Sequence, residues 1–257
     1  MSKEQVGSSG RCFPEGAIPA EVERIRVLFI LQPQQSLMGK LEPGPGFREW
    51  IHTPGERPVE GIPGLGEVTT KEMILQIVEL VDAAEAVGIV LVVIMRDKHH
   101  YAINAESTAR GANGAHCVDG TPGIRIEPRI ELALARLRAR DKVGVKIATK
   151  GEHRHVVTHS IGDSPDFAEI MRCIDELSLD GQKAVDFFVC GVTKPYAVYE
   201  TARTLQHQKR GGDVYILDAA ISDRQDAVYA TKVAVAMELF NIKQAKIRLL
   251  NGKIILI

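Results

Sequence analysis

The chain has 257 residues, a formal net charge of -1 and 45% apolar residues. This length predicts one α/β domain, and the near-zero charge argues against nucleic acid or an anionic membrane as a partner. No apolar run reaches the roughly 18 residues that a membrane-spanning helix needs. The first ten residues lack the apolar core of a signal peptide, and the four cysteines show no paired spacing, so we expect a reduced, cytoplasmic setting.

Strands and helices alternate along the predicted domain. Residues 1–24 are aperiodic and are interpreted as an N-terminal arm, followed by a single domain over 25–257. Short apolar runs indicate strands covered on both faces, and apolar residues at helical spacing indicate helices. The predicted strands are 25–31, 89–95, 143–148, 187–190 and 214–217. The predicted helices are 69–87, 130–137, 164–177, 196–209 and 222–241, and a hairpin around 251–252 closes the chain.

This alternation predicts a three-layer α/β/α sandwich with a mainly parallel sheet of Rossmann-like type. Ligands bind such sheets at the carboxyl ends of the strands. The residues that follow the predicted strands are therefore the first candidates for a site. They are Gln32, Asp97, Lys150 and the stretch from Gly191 onward.

Two segments carry a family resemblance. Residues 116–123, HCVDGTPG, resemble the His-Cys-Val-x-Gly-Thr-x-Gly segment of nicotinamidases and pyrazinamidases. Residues 189–198, VCGVTKPYAV, resemble the Val-Cys-Gly-Val-Ala-Thr-Asp-Tyr-Cys-Val segment of the same proteins. The resemblance extends over roughly 25–248 and points to the isochorismatase-like hydrolase superfamily of cysteine hydrolases. It implies that family's fold, with a six-stranded sheet.

A metal site is predicted after the second strand. The carboxylate and imidazole of Asp97-x-His99 can both turn toward one cation, and another imidazole would complete a three-ligand set. The resemblance implies that Asp97, His99 and His116 bind Zn²⁺ or another divalent transition metal. The alternate histidines His153, His155 and His159 are a weaker candidate set, because histidines are common on exposed loops.

The resemblance also implies that two of the family's three catalytic residues are replaced. Ala197 stands where the family has its nucleophilic cysteine, and Gln32 stands where it has the general-base aspartate. Lys150 keeps the lysine of the triad, and Thr193 and Ala197 match the oxyanion-hole positions. Cys190 matches a non-catalytic cysteine of the family, on a strand.

Without an aspartate at position 32, Lys150 is expected to lose its counter-charge. It would then either remain charged and bind an anionic ligand, or lose its proton more readily through desolvation. A glutamine cannot accept the proton of a nucleophile, and a methyl group cannot form a thioester.

Because of these replacements, our first interpretation is that the protein is a pseudoenzyme. It would bind a metal and a small aromatic or amide-like ligand, or serve in assembly, as a homo-oligomer or together with an active paralogue. The alternative is an active hydrolase that cleaves a C–N bond with metal-activated water, using His100, Glu106 or Asp119 as the base. A third reading, substitutions introduced to trap a substrate, fits poorly because Pro33 and Pro195 also depart from the family pattern, as natural drift would produce.

Overall fold

The computed structural model describes residues 24–35, 70–98, 117, 119–120, 122–150, 160–179, 182–192, 197–208, 210–222, 237–238, 241–245, 247–250 and 253–256. The predicted helix over 222–241 falls mostly outside this part of the chain. The described residues include the carboxyl ends of the first four predicted strands, where the candidate site is expected.

Six parallel strands form one sheet, in the order β3-β2-β1-β4-β5-β6. The strands are β1 Arg24–Leu31, β2 Ile89–Asp97, β3 Gly144–Lys150, β4 Ala184–Val192, β5 Gly211–Ser222 and β6 Lys243–Ala245. The central strands are buried along almost their whole length, as their continuous apolar runs predict. A separate antiparallel pair, β7 Ile247–Leu250 and β8 Lys253–Leu256, confirms the predicted closing hairpin.

Within the described ranges, four helices lie between the strands: α1 Thr70–Asp82, α2 Pro128–Arg140, α3 Phe167–Leu177 and α4 Tyr199–His207. In α2 the buried side chains recur at helical spacing, at Ile130, Ala133, Leu134 and Leu137. The crossovers from β1 and from β4 leave in opposite directions along the sheet. Because such crossovers are right-handed, helices cover both faces, which confirms the three-layer α/β/α sandwich.

Two predicted helix boundaries are wrong. The predicted helix began at Ser164, but α3 begins at Phe167; the Ser164 hydroxyl accepts from the Asp166 N–H group at 3.2 Å and donates to the Thr149 carbonyl oxygen at 2.8 Å. Gly88 was expected to end the first helix, but α1 already ends at Asp82. Gly88 has a φ of +74° and lies in the turn that leads into β2, a conformation that glycine adopts without strain.

The structure also corrects one expectation about the cysteines. Cys173 on α3 is disulfide-bonded, although the spacing of the cysteines in the sequence indicated no pairing. Among the described residues, no helix has both the length and the apolar character needed to cross a membrane.

Candidate functional site

Three of the predicted site residues meet where β1, β2 and β3 end. Asp97 and Lys150 are register partners on β2 and β3, and Gln32 directly follows β1. The Lys150 Nζ atom lies 3.8 Å from Asp97 Oδ2, and Gln32 Nε2 donates a hydrogen bond of 2.8 Å to the same oxygen. We call Gln32, Asp97 and Lys150 the rim cluster. The side chains of Lys150 and Asp97 are only 1% and 4% exposed, so these charges interact with little screening by water.

Gln32 acts as a hydrogen-bond donor in this cluster. Its backbone adopts a left-handed φ of +51°, and its N–H group donates to the Met95 carbonyl oxygen at 2.7 Å. An ionised carboxylate can only accept hydrogen bonds, so the NH₂ group of the Gln32 amide must face Asp97. The side chain therefore stabilises a negative charge and offers no site for taking up a proton.

Lys150 has a counter-charge, contrary to the expectation from the sequence. The Asp97 carboxylate faces the ammonium group from the neighbouring strand, so Lys150 has a counter-charge although position 32 holds a glutamine. Because each of the two buried charges compensates the other, neither carries the full free-energy cost of burying an unpaired ion.

The end of β3 is held by two side chains that the sequence analysis did not assign to the site. β3 is an outer strand of the sheet, and the Thr149 N–H group donates to Asp166 Oδ2 at 2.9 Å. Ser164 binds the carbonyl oxygen of the same residue. These bonds satisfy the outer edge of the strand beside Lys150, so they fix the backbone from which the lysine reaches Asp97.

The corner between β4 and α4 contains Ala197, which the sequence resemblance matches to the family's nucleophile. Gly191 has a φ of +111°, and a Cβ atom there would lie 2.2 Å from the Leu31 carbonyl oxygen. Only glycine therefore allows β4 to approach the end of β1 this closely. Ala197 is 1% exposed and lies two residues before α4 begins, and Thr193 lies outside the described residues.

Cys190 is a core residue of β4. It lies on β4 beside Ile30 and is completely buried. Burial raises the pKa of its thiol far above the ordinary value of 9.0, because the surrounding core disfavours the thiolate. A nucleophilic cysteine needs the thiolate form, so the structure supports the reading of Cys190 as a core residue.

Of the predicted metal ligands, the structure describes Asp97 alone. His99 and His116 lie outside the described residues, and no group of three or more His, Cys, Asp or Glu within the described part could hold a metal ion. The ion pair between Lys98 Nζ and Asp119 Oδ2, at 3.3 Å, nevertheless joins the chain next to His99 to the chain just after His116. One carboxylate and two imidazoles form a donor set that suits Zn²⁺ and related ions, so the residues fit such a metal by their chemistry.

Solved structures share this fold. PnC1 from L. infantum in complex with nicotinate matches with a TM-score of 0.57 and 16% identity, over 86% of this chain and 92% of that one. The zinc-bound pyrazinamidase of Pyrococcus horikoshii matches with a TM-score of 0.56 and 21% identity, over 86% and 98% of the two chains. The yeast nicotinamidase Pnc1p bound to nicotinaldehyde matches with a TM-score of 0.56 and 17% identity, over 85% and 98%.

No protein-family model matches the sequence, and no curated protein does. The similarity to these proteins is therefore a similarity of fold. This protein has the α/β fold that is found in nicotinamidases, pyrazinamidases and isochorismatase-family proteins.

Proposed function

We propose that this chain is a nicotinamidase-like protein that lacks thiol-dependent amidase activity and binds a divalent transition metal and a small aromatic or amide-like ligand. One observation carries the proposal: the Gln32 amide donates a hydrogen bond to the buried Asp97 carboxylate. In the family that the sequence resembles, an aspartate at this position takes the proton of the nucleophile. Here the corresponding side chain is neutral and already serves as a donor.

The second half of the proposal concerns the nucleophile. Ala197 is buried at the entrance to α4, where the positive end of the helix dipole would favour a thiolate. A methyl group uses none of this stabilisation. Cys190 is completely buried and its pKa is raised by that burial, so its thiol is no substitute for a nucleophile at position 197.

The metal site is proposed from Asp97, His99 and His116. When bound there, the metal would polarise a carbonyl oxygen of the ligand as a Lewis acid. Asp97 supplies negative charge at this point, and Lys150 offsets part of it while holding the carboxylate in place. The zinc in the pyrazinamidase of similar fold supports this assignment.

The alternative, a hydrolase using metal-activated water, would need a new general base. Asp119 is the one described candidate, and its carboxylate is 51% exposed and paired with Lys98. The Lys98 ammonium group therefore occupies the carboxylate that would have to act as the base. His100 and Glu106 lie outside the described residues.

The remaining parts of the proposal concern organisation and partners. We propose one domain over residues 25–257 with the N-terminal arm ahead of it; Arg24, at the boundary, is already the first residue of β1. The protein assembles as a homo-oligomer or with an active paralogue, in the cytoplasm. The bound ligands of the neighbours, nicotinate and nicotinaldehyde, support a small aromatic ligand for this chain.

Restoring the replaced residues tests the proposal. We expect the double variant Gln32→Asp/Ala197→Cys to release ammonia from nicotinamide, because it combines the missing base and nucleophile with the retained Lys150. The matched control Gln32→Asp/Ala197→Ser should remain inactive. If both variants fold and neither releases ammonia, the idea that the remainder of the site is nicotinamidase-like is wrong.

Ligand binding is tested separately by thermal unfolding with nicotinamide and nicotinate, each with and without Zn²⁺. A ligand at 100 times its Kd adds about 2.7 kcal/mol to the free energy of unfolding. We expect stabilisation by at least one of the two compounds, and a stronger effect with Zn²⁺ present. No shift with either compound under both conditions would contradict the proposed ligand class.

A further inference from the structure

We propose that Gln34 is a positioning residue for the metal site, because it holds the loop that begins at Asp97 against the chain that follows His116. This inference rests on the proposed metal-binding function. Gln34 is completely buried, and both polar atoms of its side chain are occupied by main-chain hydrogen bonds, which assigns it a positioning role. Its role follows from the two chain segments that its side-chain amide connects.

The first contact of Gln34 extends the sheet beyond the end of β1. The last main-chain bond between the ends of β1 and β2 runs from the Gln32 N–H group to the Met95 carbonyl oxygen. At Asp97 the Gln34 side chain takes over: its Oε1 accepts from the Asp97 N–H group at 2.6 Å, and its Nε2 donates to the Asp97 carbonyl oxygen at 2.6 Å. The side-chain amide of Gln34 thus makes the two hydrogen bonds to Asp97 that the backbone of a neighbouring strand would otherwise make.

The opposite edge of β2 is held at the same level by β3. The Lys98 N–H group donates to the Lys150 carbonyl oxygen at 2.9 Å. The backbone of Asp97 and Lys98 is therefore fixed from both sides immediately before His99. Without Gln34, the bonds on the β1 side would be lost at the residue that supplies the carboxylate ligand.

The second contact of Gln34 reaches the chain downstream of His116. Its Nε2 also donates to the Ile124 carbonyl oxygen at 3.1 Å, and Gln34 forms an isolated antiparallel bridge with Ile126. Two main-chain bonds flank this bridge, from Gln35 N to Arg125 O at 2.8 Å and from Glu127 N to Pro33 O at 2.7 Å. One buried amide therefore links Asp97, the proposed carboxylate ligand, to the chain downstream of the proposed ligand His116.

The consequence is a dependence of metal affinity on a residue that does not bind the metal. Residues that orient metal ligands typically change metal affinity by about 10- to 100-fold when they are replaced. Gln34→Met keeps the approximate size of the side chain and removes all three hydrogen bonds. Leu134→Ala in the core of α2 is the matched control, since it lowers stability at a position on α2 that contributes nothing to these bonds.

The experiment measures Zn²⁺ affinity by competition with a chromophoric chelator, together with the visible absorption spectrum of the Co²⁺-loaded protein. We expect the wild-type chain to bind Zn²⁺, Gln34→Met to bind it about 10- to 100-fold more weakly with an altered Co²⁺ spectrum, and Leu134→Ala to retain wild-type values. If Gln34→Met does not fold, Gln34→Asn, whose amide is one methylene too short for these contacts, is measured with the same expectation.

The outcomes separate the two claims. A wild-type chain that binds no Zn²⁺ overturns the proposed metal site, and with it this role of Gln34. A wild-type chain that binds Zn²⁺ while the Gln34 variant binds equally well overturns the positioning role alone. An equal loss of affinity in Leu134→Ala at a matched melting temperature would show a general effect of stability, and would also overturn it.

Discussion

The two ends of the central sheet both carry charge pairs, but they place them in different surroundings. At the carboxyl end, Lys150 and Asp97 are almost completely buried. At the amino end, Arg24 pairs with Asp186 and Lys243 pairs with Asp213, both at 2.9 Å, while the two cations remain 53% and 44% exposed. Hydrogen bonding to these carboxylates raises the pKa of both cations.

The difference in exposure shows which charges need a partner to compensate for the loss of solvation by water. Water solvates the exposed cations of the amino end, so those pairs contribute little beyond orienting the first residues of the strands. At the carboxyl end water is excluded, and each charge relies on its neighbours. The rim cluster is therefore where a single substitution should have the larger effect on both stability and ligand binding.

Removing the buried cation should give the largest effect. Lys150→Met takes away the ammonium group that faces Asp97, and breaking a buried pair in this way typically costs about 3–5 kcal/mol. Lys243→Met at the amino end should have a much smaller effect. Urea unfolding of both variants measures the contrast, and equal losses would remove the distinction between the two ends.

Two glycines with positive φ provide a second contrast between the ends. Gly191→Ala would force a Cβ atom to within 2.2 Å of the Leu31 carbonyl oxygen, whereas the nearest atom to such a Cβ at Gly211 is 3.8 Å away. We expect a loss of about 3 kcal/mol for Gly191→Ala and about 1 kcal/mol for Gly211→Ala. Thermal unfolding of the two variants gives the comparison. A Gly191→Ala protein as stable as Gly211→Ala would mean that β1 and β4 do not approach each other this closely.

Alkaline pH should produce the smallest effect. Burial raises the pKa of the Cys190 thiol above 9.0, and burial together with Asp213 raises that of Tyr215 above 10.0. The unfolded chain then releases protons that the folded chain retains, so the free energy of unfolding is unaffected by these groups below pH 9 and falls above it. Cys190 alone contributes a slope of about 1.4 kcal/mol per pH unit.

Cys190→Ala separates the thiol from the other titrating groups. Its free energy of unfolding should fall less steeply than that of the wild-type chain between pH 9 and 10.5, when both are measured by urea unfolding. Parallel curves would contradict the assignment of Cys190 as a buried, protonated thiol, and with it the argument that this residue is no nucleophile.

Much of the fold follows from local patterns. The continuous apolar runs of β1, β2 and β4 predict strands that are covered on both faces, and their alternation with helices predicts a parallel sheet. The rule that sites form at the carboxyl ends of strands then predicts that Gln32, Asp97 and Lys150 lie at the same edge. The structure brings these three side chains into contact.

The contacts within the site could not be read from the sequence, because they depend on strand register. That Asp97 faces Lys150 follows from the pairing of β2 with β3, which fixes two side chains far apart in the chain on one face. Ser164 and Asp166 have the composition of a helix cap, and only the position of β3 shows that both side chains also bind the backbone of Thr149. The dual contact of Gln34 requires three chain segments to be in place at once.

The most direct test of the central claim is ammonia release from nicotinamide by the wild-type chain loaded with Zn²⁺, measured beside Lys150→Met. The presence of Gln32 and Ala197 predicts that both proteins release ammonia at the same background rate. Ammonia release by the wild-type chain that disappears in a folded Lys150→Met protein would contradict the account, because it would show that the rim cluster catalyses hydrolysis without a thiol.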